Sequence, residues 1–260
     1  LVELSYGLSQ RLANNGTGYA DVIFNPTHWH AWHGRLGAML DAMEAGFSAA
    51  EQDGLPSVGL CVSLLRTQTA DQSIELVNTL TTLRHPRVVA LSVDGNEATA
   101  GRTGPRFAEA FRQAAKAGLR RTVHAGESSG PEGVWDAVEL LGADRIDHGV
   151  RAIDDPALVQ MLADRQIPLG VCPTSNLVLG VYPSIEAHPI ERLRQAGVRV
   201  SVNTDDPALL GASLVGEYAL CRQAFGWTDA VTRSVARTSI EASFASGDVK
   251  AGLLERLTAW

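Results

Sequence analysis

The sequence predicts an α/β protein with the (β/α)8 architecture of a TIM barrel, of which strands 2–8 are recognisable in this chain. Short apolar runs alternate with helical stretches along the 260 residues. The apolar runs are almost continuous in Val, Ile and Leu, as is typical of parallel strands that are covered on both faces. A barrel of this type takes about 250 residues, so the length of the chain fits.

Seven strand-helix units follow one another. The predicted strands are YADVIFNP, SVGLCVSL, RVVALSVDG, RTVHAG, DRIDHG, IPLGVCP and VRVSVNTDDP. The helical patterns after the first six are GRLGAMLDAMEAGFSAAEQ, ADQSIELVNTLTTL, PRFAEAFRQAAKAG, PEGVWDAVELLG, DPALVQMLADR and HPIERLRQAG, and the seventh strand leads into C-terminal helices. Residues 1–18, ahead of the first strand, read as the end of a helix and a turn. Strict alternation of strands and helices predicts parallel βαβ units.

One domain over residues 1–260 is expected, because no Pro-, Gly- or Ser-rich stretch and no highly charged stretch divides the chain. A doubly wound open sheet is the alternative architecture. It would normally carry a glycine-rich phosphate-binding turn after its first strand, and the segment after YADVIF contains none. The barrel is therefore the favoured prediction.

Charge and composition limit the classes of function. The net charge of −7 is mild, and Lys and Arg form no stripe that would bind nucleic acid or an anionic membrane. No apolar run reaches about 18 residues, and the N-terminus has no signal-peptide layout. Cys61, Cys172 and Cys221 are scattered and odd in number, which favours buried thiols in a reducing compartment. We expect a cytoplasmic protein that acts on a small molecule, and the sequence leaves its oligomeric state open.

Polar residues gather where the predicted strands end. At these ends, or just beyond them, lie Asn25 with His28, Gly95, His124, His148, Cys172 and Asp205. Taken alone, a histidine beside an apolar run is usually a structural residue, and the Asp-Asp-Pro sequence after the last strand also reads as the start of a helix. In a barrel, however, the ends of all strands face one site, and chemistry is found at that face.

Two imidazoles and three carboxylates would meet in such a site. They belong to His124 and His148, and to Glu127, Asp205 and Asp206. Carboxylates that lie a few ångström apart raise one another's pKa, so the cluster is costly unless a cation is present. Neutral imidazole with carboxylate is a common ligand set for zinc, with one position open for water. Zinc would lower the pKa of that water to about 7.

Five motifs in this order, HAGES, RIDHGV, VCPTSN, EAHP and VNTDDP, resemble the adenosine and adenine deaminase family of the amidohydrolase superfamily. The resemblance extends from about Tyr19 to the C-terminus. It implies one metal-dependent hydrolase domain with one Zn²⁺, or another divalent metal, per chain. It also implies hydrolytic deamination of a 6-aminopurine, with release of ammonia.

The resemblance assigns the chemistry to four residues. His124 of HAGE matches a zinc ligand, and Asp205, the first of the paired aspartates, matches a second ligand that also belongs to the catalytic set. Glu127 matches the acid that protonates a ring nitrogen of the purine as water attacks the carbon that carries the amino group. His148 matches the histidine that orients or deprotonates this water.

Three further residues are expected to contact the purine. Asp206 matches the carboxyl group that hydrogen-bonds the imidazole side of the base, and Gly95 matches a glycine whose backbone N–H contacts the pyrimidine ring. His28 lies in NPTHWHAWHGR with two more histidines, His30 and His33. We interpret this segment as pocket lining or loop packing, because its two tryptophans suit an aromatic wall. Metal ligation by its His-x-His pair is the less favoured alternative.

The chain departs from the family pattern at two places. The family carries two more zinc ligands in a His-x-His pair on its first strand, and no segment of this chain matches that strand. We therefore expect an N-terminally incomplete barrel that is a fragment of a longer protein, and a truncated relative with altered chemistry is the less favoured alternative. Asp147 stands before His148 where the family tends to have glycine, which would affect either the pKa of His148 or the floor of the pocket.

The motifs leave the substrate open among adenosine-like nucleosides, free adenine and larger 6-aminopurines. Two alternatives remain for the function. One is another amidohydrolase reaction on the same barrel, because fold does not determine function. The other is a catalytically inactive purine-binding or scaffold protein.

Overall fold

A curled sheet of seven parallel strands organises the protein. A computed structural model describes residues 1–259. Each strand pairs with the next in the sequence, so the strand order runs without reversal from first to last. The strands are β1 (Tyr19–Phe24), β2 (Ser57–Leu65), β3 (Val88–Asp94), β4 (Arg120–Ala125), β5 (Arg145–His148), β6 (Leu169–Val171) and β7 (Val200–Val202).

Helices follow the strands and cover the outside of the sheet. They are α1 (Val2–Asn14), α2 (Leu36–Gln52), α3 (Ala70–Leu83), α4 (Glu97–Ala100), α5 (Gly104–Lys116), α6 (Glu132–Glu139), α7 (Pro156–Asp164), α8 (Pro173–Val178), α9 (Ile190–Gln195), α10 (Pro207–Leu210), α11 (Leu214–Phe225), α12 (Asp229–Ala242) and α13 (Gly247–Thr258). Three short 3₁₀ turns span Pro26–His28, His30–Trp32 and Val150–Asp154. None of the helices in residues 1–259 has the length and apolar character needed to cross a membrane.

The seven strands are the seven that the sequence predicts as barrel strands 2–8. An open doubly wound sheet would reverse its strand order at a switch point, whereas here each strand pairs with its successor in parallel. The prediction of a TIM-barrel fold is therefore confirmed, and the open-sheet alternative is wrong. Strands β1 and β7 are the two ends of the sheet.

A buried ion pair shows how strongly the sheet curls. Asp21 on β1 and Arg145 on β5 are far apart in the strand order, yet Arg145 Nη1 donates to Asp21 Oδ2 at 2.7 Å. The backbone N–H of Phe244 donates to the same Asp21 oxygen at 3.0 Å, and the Arg145 guanidinium lies 4.4 Å from the centre of the Phe244 ring. Polar and aromatic contacts therefore join β1, β5 and the segment after α12 across the curl of the sheet.

The apolar core lies between the outer face of the sheet and the helices. Helix α5 shows why, because Phe107, Ala110, Phe111 and Ala114 recur at helical spacing and all are fully buried. Leu91 on β3 is equally buried. Each strand thus has one face against helices and one towards the barrel interior, which explains the continuous apolar runs.

Candidate active site

The carboxyl ends of β4 to β7 bring four predicted residues together. His124 lies on β4, His148 ends β5, Cys172 follows β6, and Asp205 stands three residues beyond β7. The rings of His124 and His148 lie 5.2 Å apart between centroids. Asp205 Oδ2 is 3.8 Å from His148 Nε2. The barrel register causes this meeting, since Ala125 pairs with His148 and Val171 pairs with Val202.

Glu127 points into the same cluster. Its Oε1 lies 3.4 Å from His148 Nδ1, and the Asn176 side-chain amide donates to that oxygen at 3.4 Å. The Glu127 side chain keeps 20% of its surface exposed, whereas His148 keeps 2%. A ligand can therefore reach the Glu127 carboxyl group from its solvent-exposed side, and the His148 imidazole lies on its buried side.

Two residues of the cluster have left-handed backbone conformations. His148 has φ 66° and Asp205 has φ 56°, which are uncommon values for residues other than glycine. Such conformations cost about 1–3 kcal/mol each and occur where the surrounding structure imposes them, often at functional sites. Both turns direct side chains at strand ends towards the shared site.

The donor atoms suit a divalent cation. Within residues 1–259, ligand atoms of His148, Cys172 and Asp205 all lie within 4.8 Å of one another, and this is the one such trio. Nδ1 of His124 and Nδ1 of His148 are buried without hydrogen-bond partners. These two nitrogens face the carboxylates of Asp147 and Glu127, and imidazole with carboxylate matches the ligands that zinc takes. The residues present therefore fit a zinc ion.

Burial controls the charge of the two innermost groups. It lowers the pKa of His148 more than any neighbouring charge changes it. The Glu127 carboxylate raises this pKa and His124 lowers it, and the neutral imidazole is favoured. Burial also raises the pKa of Cys172 well above its ordinary value. A thiol with a raised pKa stays in its protonated form at neutral pH.

The paired aspartates have separate environments. Asp205 Oδ2 accepts a hydrogen bond from the Ser175 hydroxyl at 2.7 Å. Asp206 occupies the N-cap position of α10, as its Pro207 neighbour suggests, but its side chain makes no capping hydrogen bond. Burial and then the charge of Asp205 raise the pKa of Asp206. The second aspartate is exposed and available to a ligand.

Two motifs meet behind Glu127. The N–H of Ile190 donates to His188 Nδ1 at 3.3 Å, so Nε2 of this ring carries the proton and lies 3.1 Å from Asn176 Oδ1. This contact turns the amide nitrogen of Asn176 towards Glu127. Asn176 of VCPTSN and His188 of EAHP therefore orient the Glu127 carboxylate of HAGE. The sequence does not reveal this role.

A buried ion pair holds the backbone of three site segments. Glu97 accepts hydrogen bonds from four consecutive N–H groups, those of residues 126–129, at 2.8 to 3.2 Å. Arg66, whose guanidinium is 4.0 Å from Glu97 with both side chains 5% exposed, donates to the carbonyl oxygens of His124 and Gly95. Sequence reasoning missed both residues. Charged residues directly after apolar strands were the available signal, but their partners depend on the fold.

Gly95 occupies a position whose backbone conformation favours glycine. Its φ is 100°, and a Cβ atom there would lie 3.0 Å from the Leu65 side chain. It follows β3 at the carboxyl end of the barrel, so its backbone lies at the face that carries the cluster. Contact between its N–H and a purine stays a prediction.

His28 lies at the same end of the barrel but outside the cluster. It is exposed and belongs to the 3₁₀ turn Pro26–His28. His30 and His33 are also exposed and pack edge to face, 4.9 Å apart. Among the described residues these three histidines form no metal-binding group with one another or with the cluster. A lining role for His28 stays a prediction.

Comparisons with known proteins agree with this geometry. The family model described as adenosine deaminase matches residues 1–260. An adenine deaminase of Agrobacterium fabrum is 39% identical over 251 residues, which are 95% of this chain and 75% of that protein.

Solved structures show the same fold. The crystal structure of an adenine deaminase from Arthrobacter aurescens superposes with a TM-score of 0.93 at 29% identity, over 100% of this chain and 78% of that one. An amidohydrolase from Burkhoderia ambifaria, solved with bound Zn, gives a TM-score of 0.91 at 28% identity, over 99% of this chain and 72% of that one.

Proposed function

The chain belongs to the adenosine deaminase family, and from this premise we propose that it catalyses the zinc-dependent hydrolytic deamination of adenine, with release of ammonia. The observation that carries the proposal is the meeting of His124, Glu127, His148 and Asp205 at the carboxyl ends of the strands. Similarity to two adenine deaminases supports the choice of the free base.

We propose that His124 and Asp205 hold the metal. The support for this assignment is the position of the His124 ring 5.2 Å from that of His148, the Asp205 carboxylate beside His148, and the zinc in a related amidohydrolase structure. Zinc in such a site supplies a water nucleophile at neutral pH. Ser175 keeps Asp205 in place through the hydrogen bond to Oδ2.

Glu127 would act as the proton donor to the ring. As water attacks the carbon that carries the amino group, the neighbouring ring nitrogen gains electron density and must accept a proton. The carboxyl group of Glu127 lies at the open side of the cluster with its Oε1 fixed by Asn176. General acid help of this kind contributes roughly 10²–10⁴ in rate.

His148 would accept the proton that the attacking water gives up. Its burial favours the neutral ring, which has one lone pair to offer. Nδ1 faces Glu127 and Nε2 faces Asp205, so Nε2 is the atom on the side of the metal ligand. His148 would then give this proton to the amino group, so that the carbon–nitrogen bond breaks and ammonia leaves. Glu127 would take back a proton from the hydroxyl group on the carbon, and a 6-oxopurine remains.

Asp206, Gly95 and His28 would bind the base. The exposed carboxyl of Asp206 makes no capping bond and can pair with the imidazole side of adenine. Gly95 presents main chain where a side chain would collide with Leu65. His28 would line the entrance, since it is exposed at the same end of the barrel.

A substrate screen tests this proposal. The zinc-loaded protein is incubated with adenine, adenosine and larger 6-aminopurines, while the loss of adenine-type ultraviolet absorbance and the release of ammonia are followed. We expect adenine to give the highest kcat/KM. Preference for adenosine would correct the substrate within the family, and zinc binding without turnover of any 6-aminopurine would favour a catalytically inactive purine-binding protein.

A further inference from the structure

Asp147 lies against His124, at the position where the sequence resemblance predicts glycine. The two residues are register partners on β5 and β4. Asp147 Oδ2 is 3.6 Å from His124 Nδ1, and this Nδ1 is buried without a hydrogen-bond partner. We propose that Asp147 is a positioning residue that keeps the proton of His124 on Nδ1 and leaves Nε2 free for the metal. The inference rests on the proposed metal site.

Other contacts orient the Asp147 carboxylate. The Thr122 hydroxyl donates to its Oδ2 at 2.6 Å, and Arg145 Nε lies 3.3 Å from its Oδ1. Arg145 is in turn paired with Asp21 at 2.7 Å. The side chains of Arg145 and Asp147 are only 10% and 13% exposed, so this chain of contacts is largely shielded from solvent.

The chemistry of the pair decides the tautomer. An ionised carboxylate has no proton to donate, so the ring nitrogen that faces Asp147 must present an N–H. A neutral imidazole with its proton on Nδ1 has its lone pair on Nε2. Histidines that bind metals generally donate their other ring N–H to a carboxylate, a carbonyl or water, and this contact fixes both tautomer and ring orientation.

The main chain of His124 is held independently. Arg66 donates to its carbonyl oxygen, and its strand pairs with β5. The remaining freedom of His124 is rotation of its ring and the choice of protonated nitrogen, and Asp147 limits both.

The experiment measures zinc affinity and tautomer, not activity. Zinc affinity of Asp147→Asn is determined by competition with a chromogenic chelator, and we expect it to be about 10–100-fold weaker than in the parent. Spectra of ¹⁵N-histidine-labelled protein should show His124 protonated on Nδ1 in the parent and a mixture of tautomers in the variant. Asp144→Asn is the matched control, because it breaks ion pairs with Arg120 and Arg121 at the other end of β5.

A second variant guards against loss of folding. Thr122→Val keeps the carboxylate and removes the hydroxyl that orients it, so a smaller loss of zinc affinity is expected. Unchanged zinc affinity and an unchanged His124 tautomer in Asp147→Asn, or in Thr122→Val if Asp147→Asn does not fold, would overturn the inference.

Zinc binding in other variants and in the parent distinguishes failure of the positioning role from failure of the proposed metal site. If His124→Ala abolishes zinc binding while the Asp147 and Thr122 variants bind zinc normally, the metal site stands and only the positioning role is wrong. If the parent protein itself binds no zinc, the metal site is wrong and the inference falls with it.

Discussion

The carboxylate of Glu97 accepts a hydrogen bond from the backbone N–H of Glu127 at 3.0 Å, although the two residues are 30 positions apart. Burial opposes ionisation of Glu97, but the N–H of Gly126 and the charge of Arg66 outweigh it, so the pKa of Glu97 lies below its ordinary value. A buried anion thus fixes the turn that carries the proposed acid. Sequence motifs supply Glu127, and a residue outside those motifs determines where it points.

Replacement of Glu97 should therefore impair catalysis from a distance. Glu97→Gln leaves several of the four N–H groups and Arg66 without a full partner, and breaking a buried ion pair costs about 3–5 kcal/mol. We expect a lower free energy of unfolding in urea and a kcat reduced roughly 10²-fold, because small displacements at a reacting centre have effects of this size. Glu139→Gln, which breaks a half-exposed pair with Arg165, should change neither value measurably. Normal kcat in folded Glu97→Gln would contradict the positioning role.

Removal of the acid should affect turnover without affecting the metal. Glu127→Gln keeps the contact that Asn176 can make but has no proton of suitable acidity. The expected result is a kcat lower by roughly 10²–10⁴, with zinc content equal to that of the parent by atomic absorption. A turnover close to the parent value would assign the proton transfer to another group.

Metal content distinguishes the proposed ligands from the neighbouring thiol. His124→Ala and Asp205→Ala should each lose stoichiometric zinc, because each removes one of the two ligands that we assign. Cys172→Ser should retain zinc, because Cys172 is not one of the two ligands that we assign. Full zinc content in both alanine variants, or loss of zinc in Cys172→Ser, would mean that the ligand set is wrong.

The second aspartate offers a test of substrate binding. Asp206→Asn should keep zinc and raise KM for adenine, because an amide replaces the carboxyl that would pair with the base, and a lost hydrogen bond to a charged group costs about 1.5–3 kcal/mol. Steady-state kinetics with adenine measure the change. Unchanged KM and kcat would mean that Asp206 does not bind the base and only occupies the N-cap position of α10.

Acid should destabilise the protein partly through His188. Burial, assisted by the charge of Arg192, lowers the pKa of this ring from 6.5 to about 4. Between these two values the unfolded chain binds a proton that the folded protein does not, so the stabilising contribution is complete above pH 6.5 and is lost as the pH falls to about 4. At about 1.4 kcal/mol per pKa unit, a shift from 6.5 to about 4 corresponds to a loss of about 3.5 kcal/mol.

Urea unfolding at several pH values between 6.5 and 4 measures this dependence. His188→Gln should flatten it, whereas His30→Gln, which alters an exposed ring, should leave it unchanged. Equal slopes in the parent protein and His188→Gln would show that His188 does not carry the acid sensitivity.

The sequence alone determined the architecture and the chemical identity of the site. Continuous apolar runs and helical spacing are local properties, so the pattern RVVALSVDG was enough to predict β3 (Val88–Asp94), and PRFAEAFRQAAKAG was enough to predict α5 (Gly104–Lys116). Parallel strands place their carboxyl ends on one face, and for this reason His124, His148 and Asp205 could be expected to meet.

Only the tertiary structure decided how these residues are held. Glu97 and Arg66 act on segments 29 to 58 positions away, His188 reaches Glu127 through Asn176, and Asp147 faces His124 because β4 and β5 pair in one register. Periodicity and propensity report on neighbours along the chain. Contacts between distant strand ends depend instead on the curvature of the sheet and on the paths of its loops, which no local pattern contains.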